Sequence, residues 1–156
     1  MADLLIRKIE ERDVEAVGRL WYQLSLYHEN FARYYAVRPD TEAILGDHVR
    51  DLMHRNCIFF VAEAGGRVVG FVSGYIVMRN PQLVVDRVGK VDNIFVDDEF
   101  RGKGIGTQLL EQLFAYIKSQ NVVYIELSCD FANDRALELY KRLGFKEQKV
   151  FMVREG

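Results

Sequence analysis

The feature that most constrains the fold is a strand, a glycine-rich turn and an amphipathic helix in direct succession. Residues 88–96 predict a strand, and apolar side chains recur at helical spacing over residues 105–117. The apolar run over residues 122–128 predicts the next strand. A strand, a crossover helix and a second strand form a unit whose strands lie parallel and whose crossover is right-handed. The chain is therefore predicted to fold around a sheet that contains a parallel pair.

The rest of the sequence supplies further strands and helices on both sides of this unit. A hairpin is predicted around Gly65 and Gly66, and a helix is predicted to begin after Asp13. The predicted order is β-α-α-β-β-β-α-β-α-β, with strands at 4–9, 57–63, 67–77, 88–96, 122–128 and 145–153, and with helices opened by Asp13, by Asp40 or Thr41, by Gly104 and by Asn133 or Asp134. This order predicts a mixed α/β fold.

Length and composition set the class of protein. The chain has 156 residues, of which 49% are hydrophobic, so we expect one compact domain over residues 1–156. Lys and Arg number 21 against 23 Asp and Glu, a balance that argues against a nucleic-acid partner. The apolar run at 68–78 is too short to span a bilayer, and two cysteines give no disulfide framework. We expect a cytoplasmic protein.

The turn before the predicted central helix carries chemistry. Gly102, Gly104 and Gly106 leave backbone N–H groups accessible at a helix start, where the helix dipole favours an anion, and Arg101 and Lys103 add cations. A phosphate or pyrophosphate is the expected ligand. The spacing fits neither a P-loop, since the lysine precedes a glycine, nor the dinucleotide fingerprint, whose third glycine is missing.

Two motifs together resemble those of the GCN5-related N-acetyltransferase (GNAT) superfamily. One is Arg101-x-x-Gly104-x-Gly106, and the other is Asn133-x-x-Ala136-x-x-x-Tyr140-x-x-x-Gly144-Phe145, with the match covering residues 88–145. The resemblance implies a single domain with a mixed, partly splayed sheet of six to seven strands and about four helices. It also implies acetyl-CoA as the cosubstrate, an amine as the acceptor, and homodimers as a common assembly.

The resemblance also assigns residues to the cosubstrate. The main chain of the fourth strand would contact the acetyl and pantetheine groups, the glycine-rich turn would hold the pyrophosphate, and the second motif would contact the pantetheine arm. The residues so assigned are Ile94, Phe95, Val96, Arg101, Gly102, Lys103, Gly104, Ile105, Gly106, Thr107, Asn133, Arg135 and Tyr140. No metal site is expected, because the three histidines lack ligand spacing.

Acetyl transfer requires a base for the amine and a proton donor for the departing thiolate. Asp92 is the first candidate base, since polyamine acetyltransferases of this superfamily carry a carboxylate, usually Glu, at the matching place. Its shorter side chain suggests a bridging water, and an ion pair with Lys90 or Arg87 is the structural alternative. Tyr140 is the candidate proton donor, with core packing as its alternative.

The sequence indicates the acceptor less specifically than the cosubstrate. By resemblance the first two helices form its wall, and Tyr27, His28, Asp92 and Glu126 are the candidate contacts, with Glu126 also a weaker candidate base. Aromatic faces and carboxylates suit a cationic amine, and a small polyamine or diamine is the preferred acceptor. Two alternatives stay open. One is acetylation of protein N-termini or lysines, and the other is a non-catalytic acyl-CoA-binding regulatory module.

Overall fold

A computed structural model describes residues 3–156 and places their five strands in one mixed sheet, in which each strand lies beside the next in chain order. The elements are β1 (Leu4–Lys8), α1 (Val14–Glu29), α2 (Thr41–Met53), β2 (Ile58–Ala64), β3 (Arg67–Met78), β4 (Arg87–Val96), α3 (Ile105–Ser119), β5 (Ile125–Glu126) and α4 (Asp134–Arg142). None of the helices in this range is long and apolar enough to cross a membrane.

The strand pairing confirms the predicted mixed α/β architecture. The first four strands pair antiparallel in chain order, with β2 and β3 joined through Gly65 and Gly66 as predicted. The last pair, β4 with β5, is parallel, and α3 connects the two strands along the chain. This confirms the predicted parallel unit.

The prediction of six to seven strands is wrong for the described residues, which form five. The fifth strand covers two residues instead of 122–128, and residues 145–156 contain no strand. A strand forms only where a neighbour offers an edge of main-chain hydrogen-bonding groups. Because β5 is so short, the final apolar run finds little edge to pair with, and Phe151 and Met152 stay 68% and 85% exposed.

The core lies on both faces of the sheet. On one face α3 buries Leu109, Leu110, Leu113 and Ile117 completely, because these residues share one side of the helix. On the other face α1 packs its own apolar stripe against aromatic side chains of β2 and β3. Burial of each large aliphatic side chain contributes roughly 1.5–3 kcal/mol, so α3 is held firmly against β4 and its neighbours.

A buried ion network fixes the start of α1 on the sheet. The Arg7 guanidinium on β1 contacts the Asp13 carboxylate at 2.7 Å and the Glu63 carboxylate of β2 at 2.6 Å. Asp13 directly precedes α1, as predicted, but its side chain does not cap that helix and instead accepts hydrogen bonds from Arg7 and the Glu10 N–H. The helix that carries the predicted acceptor wall is thereby anchored at its first turn.

Candidate active site

The strands β4 and β5 separate soon after they pair, and this opens a slot in the sheet. Gly89 pairs with Ile125 and Lys90 with Glu126, and no further pair of these strands occurs within residues 3–156. The Lys90 ammonium also forms an ion pair with the Glu126 carboxylate at 3.0 Å. Glu126 therefore lies at the end of the slot where β4 and β5 still pair, and its negative charge is compensated by Lys90.

The rest of β4 lines the slot with main-chain groups. The Asp97 N–H donates to the Val69 carbonyl of β3 at 2.8 Å. Main-chain groups of successive strand residues point to opposite edges, so those of Val96 and Ile94 point away from β3 and into the slot. Phe95 directs its main chain toward β3 and its buried side chain toward the α1 core. The slot thus offers a strip of main-chain donors and acceptors.

The start of α3 presents backbone N–H groups beside this strip. Gly102 and Gly104 have φ values of +76° and +78°, in the left-handed region that glycine adopts without strain. The first hydrogen bond of the helix runs from the Gln108 N–H to the Gly104 carbonyl, and no side chain of the described residues caps the helix start. The N–H groups of residues 105–107 therefore lack helical partners, and unpaired N–H groups at a helix start favour an anion.

The two cations of the turn have different positions. The Arg101 side chain points back to β4, where its Nε donates to the Val96 carbonyl at 2.9 Å and its Nη1 contacts Asp98 at 2.8 Å. Lys103 is exposed, with its ammonium 5.2 Å from the centre of the Phe100 ring. Arg101 thus braces the turn against β4, and Lys103 is the cation of the two that faces solvent.

Asp92 occupies a bulge in β4. Val91 pairs with Gly74 of β3 and Asn93 pairs with Ser73, so Asp92 is an extra residue without a partner in the pairing. The Asn93 side-chain amide donates to the Asp92 carboxylate at 2.9 Å. A bulge redirects the side chain it carries, and bulges are common next to active sites. The carboxylate is held here by local backbone geometry.

The surroundings of Asp92 suit its carboxylate to act as a general base. Protein atoms displace part of its solvent shell, which raises the pKa of the carboxyl, while the charge of His48 acts in the opposite direction. Lys90 and Arg87 do not pair with it, since Lys90 contacts Glu126 and the Arg87 guanidinium donates to the Gln120 carbonyl at 3.2 Å. A carboxylate with a raised pKa and no lysine or arginine within ion-pair distance can accept a proton at higher pH than an ordinary aspartate.

Tyr140 lies on the inner face of α4. Burial, with a smaller contribution from Cys129, raises the pKa of the Tyr140 phenol to about 12. Its ring meets the Phe145 ring edge-on at 6.0 Å, so the side chain also packs against the apolar end of the second motif. The phenol remains protonated throughout the neutral range and is a hydrogen-bond donor there.

Asn133 joins the second motif to α1. Its side-chain oxygen accepts the Ala136 N–H at 3.3 Å, which caps α4, and it also accepts the Tyr27 hydroxyl at 3.4 Å. Arg135 follows on the exposed first turn of α4. The Tyr27 ring in turn lies 5.9 Å from the Arg101 guanidinium. Tyr27 lies on α1, the predicted acceptor wall. It therefore contacts one residue of each of the two motifs that the sequence assigned to the cosubstrate.

The carboxylates of β4 and of the turns after β4 and β5 differ in their basic partners. Within residues 3–156, Asp92, Asp97 and Asp130 have no basic group within ion-pair distance, whereas Asp98 and Glu99 contact Arg101 and Arg67. Asp130 was not a candidate from the sequence, because its only signal is its position three residues before Asn133, and an acidic residue in a turn is too common to be singled out without its neighbours.

Comparison with known proteins relates most of the chain to acetyltransferases. The model of the acetyltransferase (GNAT) family matches residues 21–145. The N-acetyltransferase MJ1530 of Methanocaldococcus jannaschii is 34% identical over 148 residues, which is 94% of this chain and 81% of that protein. A second N-acetyltransferase of this organism, MJ1207, is 40% identical over 95 residues, which is 59% of this chain and only 40% of that protein.

A solved structure extends the fold likeness over nearly the whole chain. The predicted acetyltransferase of Clostridium acetobutylicum, solved with acetyl-CoA, superposes with a TM-score of 0.78 at 18% identity and covers 98% of this chain and 96% of its own. At this identity the likeness concerns the fold. It confirms the predicted arrangement of sheet and helices.

Proposed function

This chain belongs to the acetyltransferase (GNAT) family, and from that premise we propose that it transfers the acetyl group of acetyl-CoA to a primary amine. One observation carries the proposal. The slot between β4 and β5 leads from the bulge at Asp92 along the free edge of β4 to the uncapped start of α3. This arrangement offers a base, a strip of main-chain groups and an anion site along one path.

Binding of the cosubstrate would use the backbone. The N–H groups of residues 105–107 would bind the pyrophosphate with help from Lys103, and the main-chain groups of Ile94 together with the Val96 N–H would bind the pantetheine amides, since the Val96 carbonyl already accepts Arg101. The Clostridium acetobutylicum relative, which holds acetyl-CoA, supports this choice of ligand. A main-chain N–H of β4 would also stabilise the oxyanion that develops on the acetyl carbonyl.

Asp92 would prepare the nucleophile. An alkyl ammonium has a pKa near 10.4 and must lose a proton before its nitrogen can attack. The Asp92 carboxylate would accept that proton, directly or through a water, and the nitrogen would then form its bond to the acetyl carbon. The raised pKa of Asp92 supports this role, because it reduces the difference between the pKa of the carboxyl and the pKa of the ammonium.

Tyr140 would stabilise the departing sulfur. As the new C–N bond forms, the C–S bond breaks and leaves a negative charge on the thiolate. Full transfer of the phenol proton from a group of pKa about 12 to a thiolate whose conjugate thiol has a pKa of roughly 8.5 costs about 5 kcal/mol. Tyr140 therefore acts by donating a hydrogen bond, and the thiolate takes its final proton from solvent or from the base.

The acceptor that we propose is a small cationic amine. Its charge would be attracted by Asp92, and the aromatic residues at the end of α1 would contact its methylene groups and its cation. Two of the rings, Tyr27 and Phe31, meet edge-on at 5.1 Å, with His28 beside both. A polyamine or a diamine combines positive charge with an apolar chain and suits these surroundings.

The test is an amine panel with acetyl-CoA, with thiol release and product mass as readouts. We expect turnover with small polyamines or diamines, and a loss in kcat of about 10²-fold in Tyr140→Phe, since the lost hydrogen bond stabilises charge only in the transition state. The matched control is Tyr124→Phe, because Tyr124 is 60% exposed and outside the slot. Binding of CoA without turnover on any amine would instead identify a regulatory module.

A further inference from the structure

A buried hydroxyl lies opposite β4 at the bulge that carries Asp92. Ser73 of β3 is fully buried, and the only other buried polar or charged residue among residues 3–156 is Asp13. A hydroxyl in such a position costs free energy unless it has a hydrogen-bond partner. Its partner is Asn93, which pairs with Ser73 across the two strands and whose side-chain nitrogen donates to the hydroxyl oxygen at 3.4 Å.

Asn93 connects this hydroxyl to the Asp92 carboxylate. The same side-chain nitrogen donates to Oδ2 of Asp92 at 2.9 Å. An amide nitrogen carries two N–H groups, so it can donate to both acceptors at once. The second carboxylate oxygen, Oδ1, has no hydrogen bond among residues 3–156, and Asp92 is accessible from solvent. One oxygen of the carboxylate is thus held by the sheet, and the other is open to an incoming group.

The bulge in β4 makes this connection possible. Neighbouring side chains of a regular strand point to opposite faces of the sheet, and the extra residue at Asp92 interrupts that alternation. Gly74 allows the strands to approach here, since a Cβ on it would lie 2.5 Å from the Lys90 carbonyl oxygen. Asn93 shares its face of β4 with Phe95, which packs into the α1 core. The connection therefore lies on the side of the sheet that the predicted acceptor wall covers.

Asn93 holds the carboxylate without neutralising it. Asp92 has no lysine or arginine of residues 3–156 within ion-pair distance, since Lys90 of the same strand pairs elsewhere. The charge of His48 on α2 lowers the pKa of Asp92 against the larger effect of burial. Burial, with a smaller contribution from Asp92, raises the pKa of the Cys57 thiol to about 11, so this neighbour is neutral at pH 7. An amide has no net charge, and it therefore removes less of the basicity of a carboxylate than a cation would.

We propose that Asn93, itself held by Ser73, is a positioning residue that presents Oδ1 of Asp92 to the acceptor amine. This inference rests on the proposed function, in which Asp92 is the base. The ammonium gives its proton to Oδ1 while Oδ2 keeps the hydrogen bond from the amide. The electron pair left on nitrogen then forms the bond to the acetyl carbon, and the C–S bond breaks to release the thiolate.

The experiment follows the loss of activity in Asn93→Ala and Ser73→Ala as the pH changes. Initial rates are measured from about pH 6 to about pH 10 with acetyl-CoA and diaminobutane, or with the fastest amine of the panel. At pH 7 we expect kcat/KM for the amine to fall about 10-fold in Asn93→Ala and about 3-fold in Ser73→Ala, with the KM for acetyl-CoA changed less than about 2-fold. Both losses should shrink toward pH 10, because a neutral amine needs no base.

A double variant separates positioning from a structural role. In the Asp92→Asn background there is no carboxylate to orient, so Asn93→Ala should lower kcat/KM further by less than about 2-fold. Asn80→Ala is the matched control, because it removes the same amide from an exposed position after β3. We expect it to leave kcat/KM unchanged at every pH, and thermal unfolding verifies that each variant is folded.

The outcomes are distinct for the two proposals. Losses that stay constant with pH, or that multiply with the loss in Asp92→Asn, give Asn93 a structural role and overturn the inference while Asp92 remains the base. Unchanged activity in Asp92→Asn overturns both the base and its positioning residue but leaves an N-acetyltransferase. If no amine turns over, the proposed function fails and the inference fails with it.

Discussion

The conformation of Gly104 gives the sharpest test of the anion site. A residue at its φ of +78° lies in the left-handed region, where a side chain costs roughly 1–2 kcal/mol. The space around Gly104 is open, with no atom of residues 3–156 within 4 Å of an added Cβ, so Gly104→Ala introduces backbone strain without a collision. The turn can relieve this strain only by rotating the N–H groups of residues 105–107 away from their present direction.

The expected loss follows from that strain. If the cosubstrate requires the present turn, about 1.4 kcal/mol of strain raises the KM for acetyl-CoA about 10-fold, with a smaller change in the KM for the amine. Gly66→Ala is the matched control, since Gly66 also has a positive φ, of +75°, and open space around an added Cβ, but lies in the turn between β2 and β3. There we expect the KM for acetyl-CoA to change less than about 2-fold, because the strained turn is not part of the proposed site.

Initial rates over a grid of acetyl-CoA and amine concentrations give both KM values, and thermal unfolding verifies that each variant is folded. Equal losses in Gly104→Ala and Gly66→Ala would refute the reasoning, because both variants strain the backbone and only one does so at the proposed anion site. So would a Gly104→Ala variant whose KM for the amine rises as much as that for acetyl-CoA.

Two further predictions concern charge. In Asp92→Asn we expect kcat/KM at neutral pH to fall about 10²-fold and to recover partly as the pH rises, because more amine is then neutral without a base. In the unmodified chain the raised pKa of Asp92 places the acidic loss of activity above the range of an ordinary aspartate; an unchanged pH–rate profile in the variant would exclude this role. Arg7→Met leaves the Asp13 carboxylate, whose side chain is 4% exposed, without its cation, so urea unfolding at neutral pH should show a loss of about 3–5 kcal/mol. Although burial by itself would raise it, the pKa of Asp13 is lowered by Arg7, so this stability is present above the ordinary aspartate pKa and is lost as the pH falls through the lowered value. Arg12→Met, which breaks an exposed ion pair, should cost less than about 1 kcal/mol, and equal losses in the two variants would contradict the buried network.

Local patterns determined the elements whose formation depends on nearby residues. The helix α3 follows a glycine-rich turn and carries an apolar stripe, and Asn133 precedes α4 with an oxygen that caps it. Both were predictable because helix periodicity and capping involve residues three or four positions apart. The final strand at 145–153 was not predictable in this way, since a strand needs a partner edge that only the folded sheet provides or withholds.

The same distinction between local and long-range interactions applies to the candidate site. The sequence by itself determined the family and predicted the anion-binding turn, because each of the two motifs is contiguous in the chain. Only the tertiary structure decided which charges are compensated. Lys90 contacts Glu126 and Arg101 contacts Asp98, while Asp92 occupies a bulge and has no basic group within ion-pair distance among residues 3–156. Ion pairs and desolvation depend on distances between segments far apart in sequence, and those distances are set only when the sheet and helices pack.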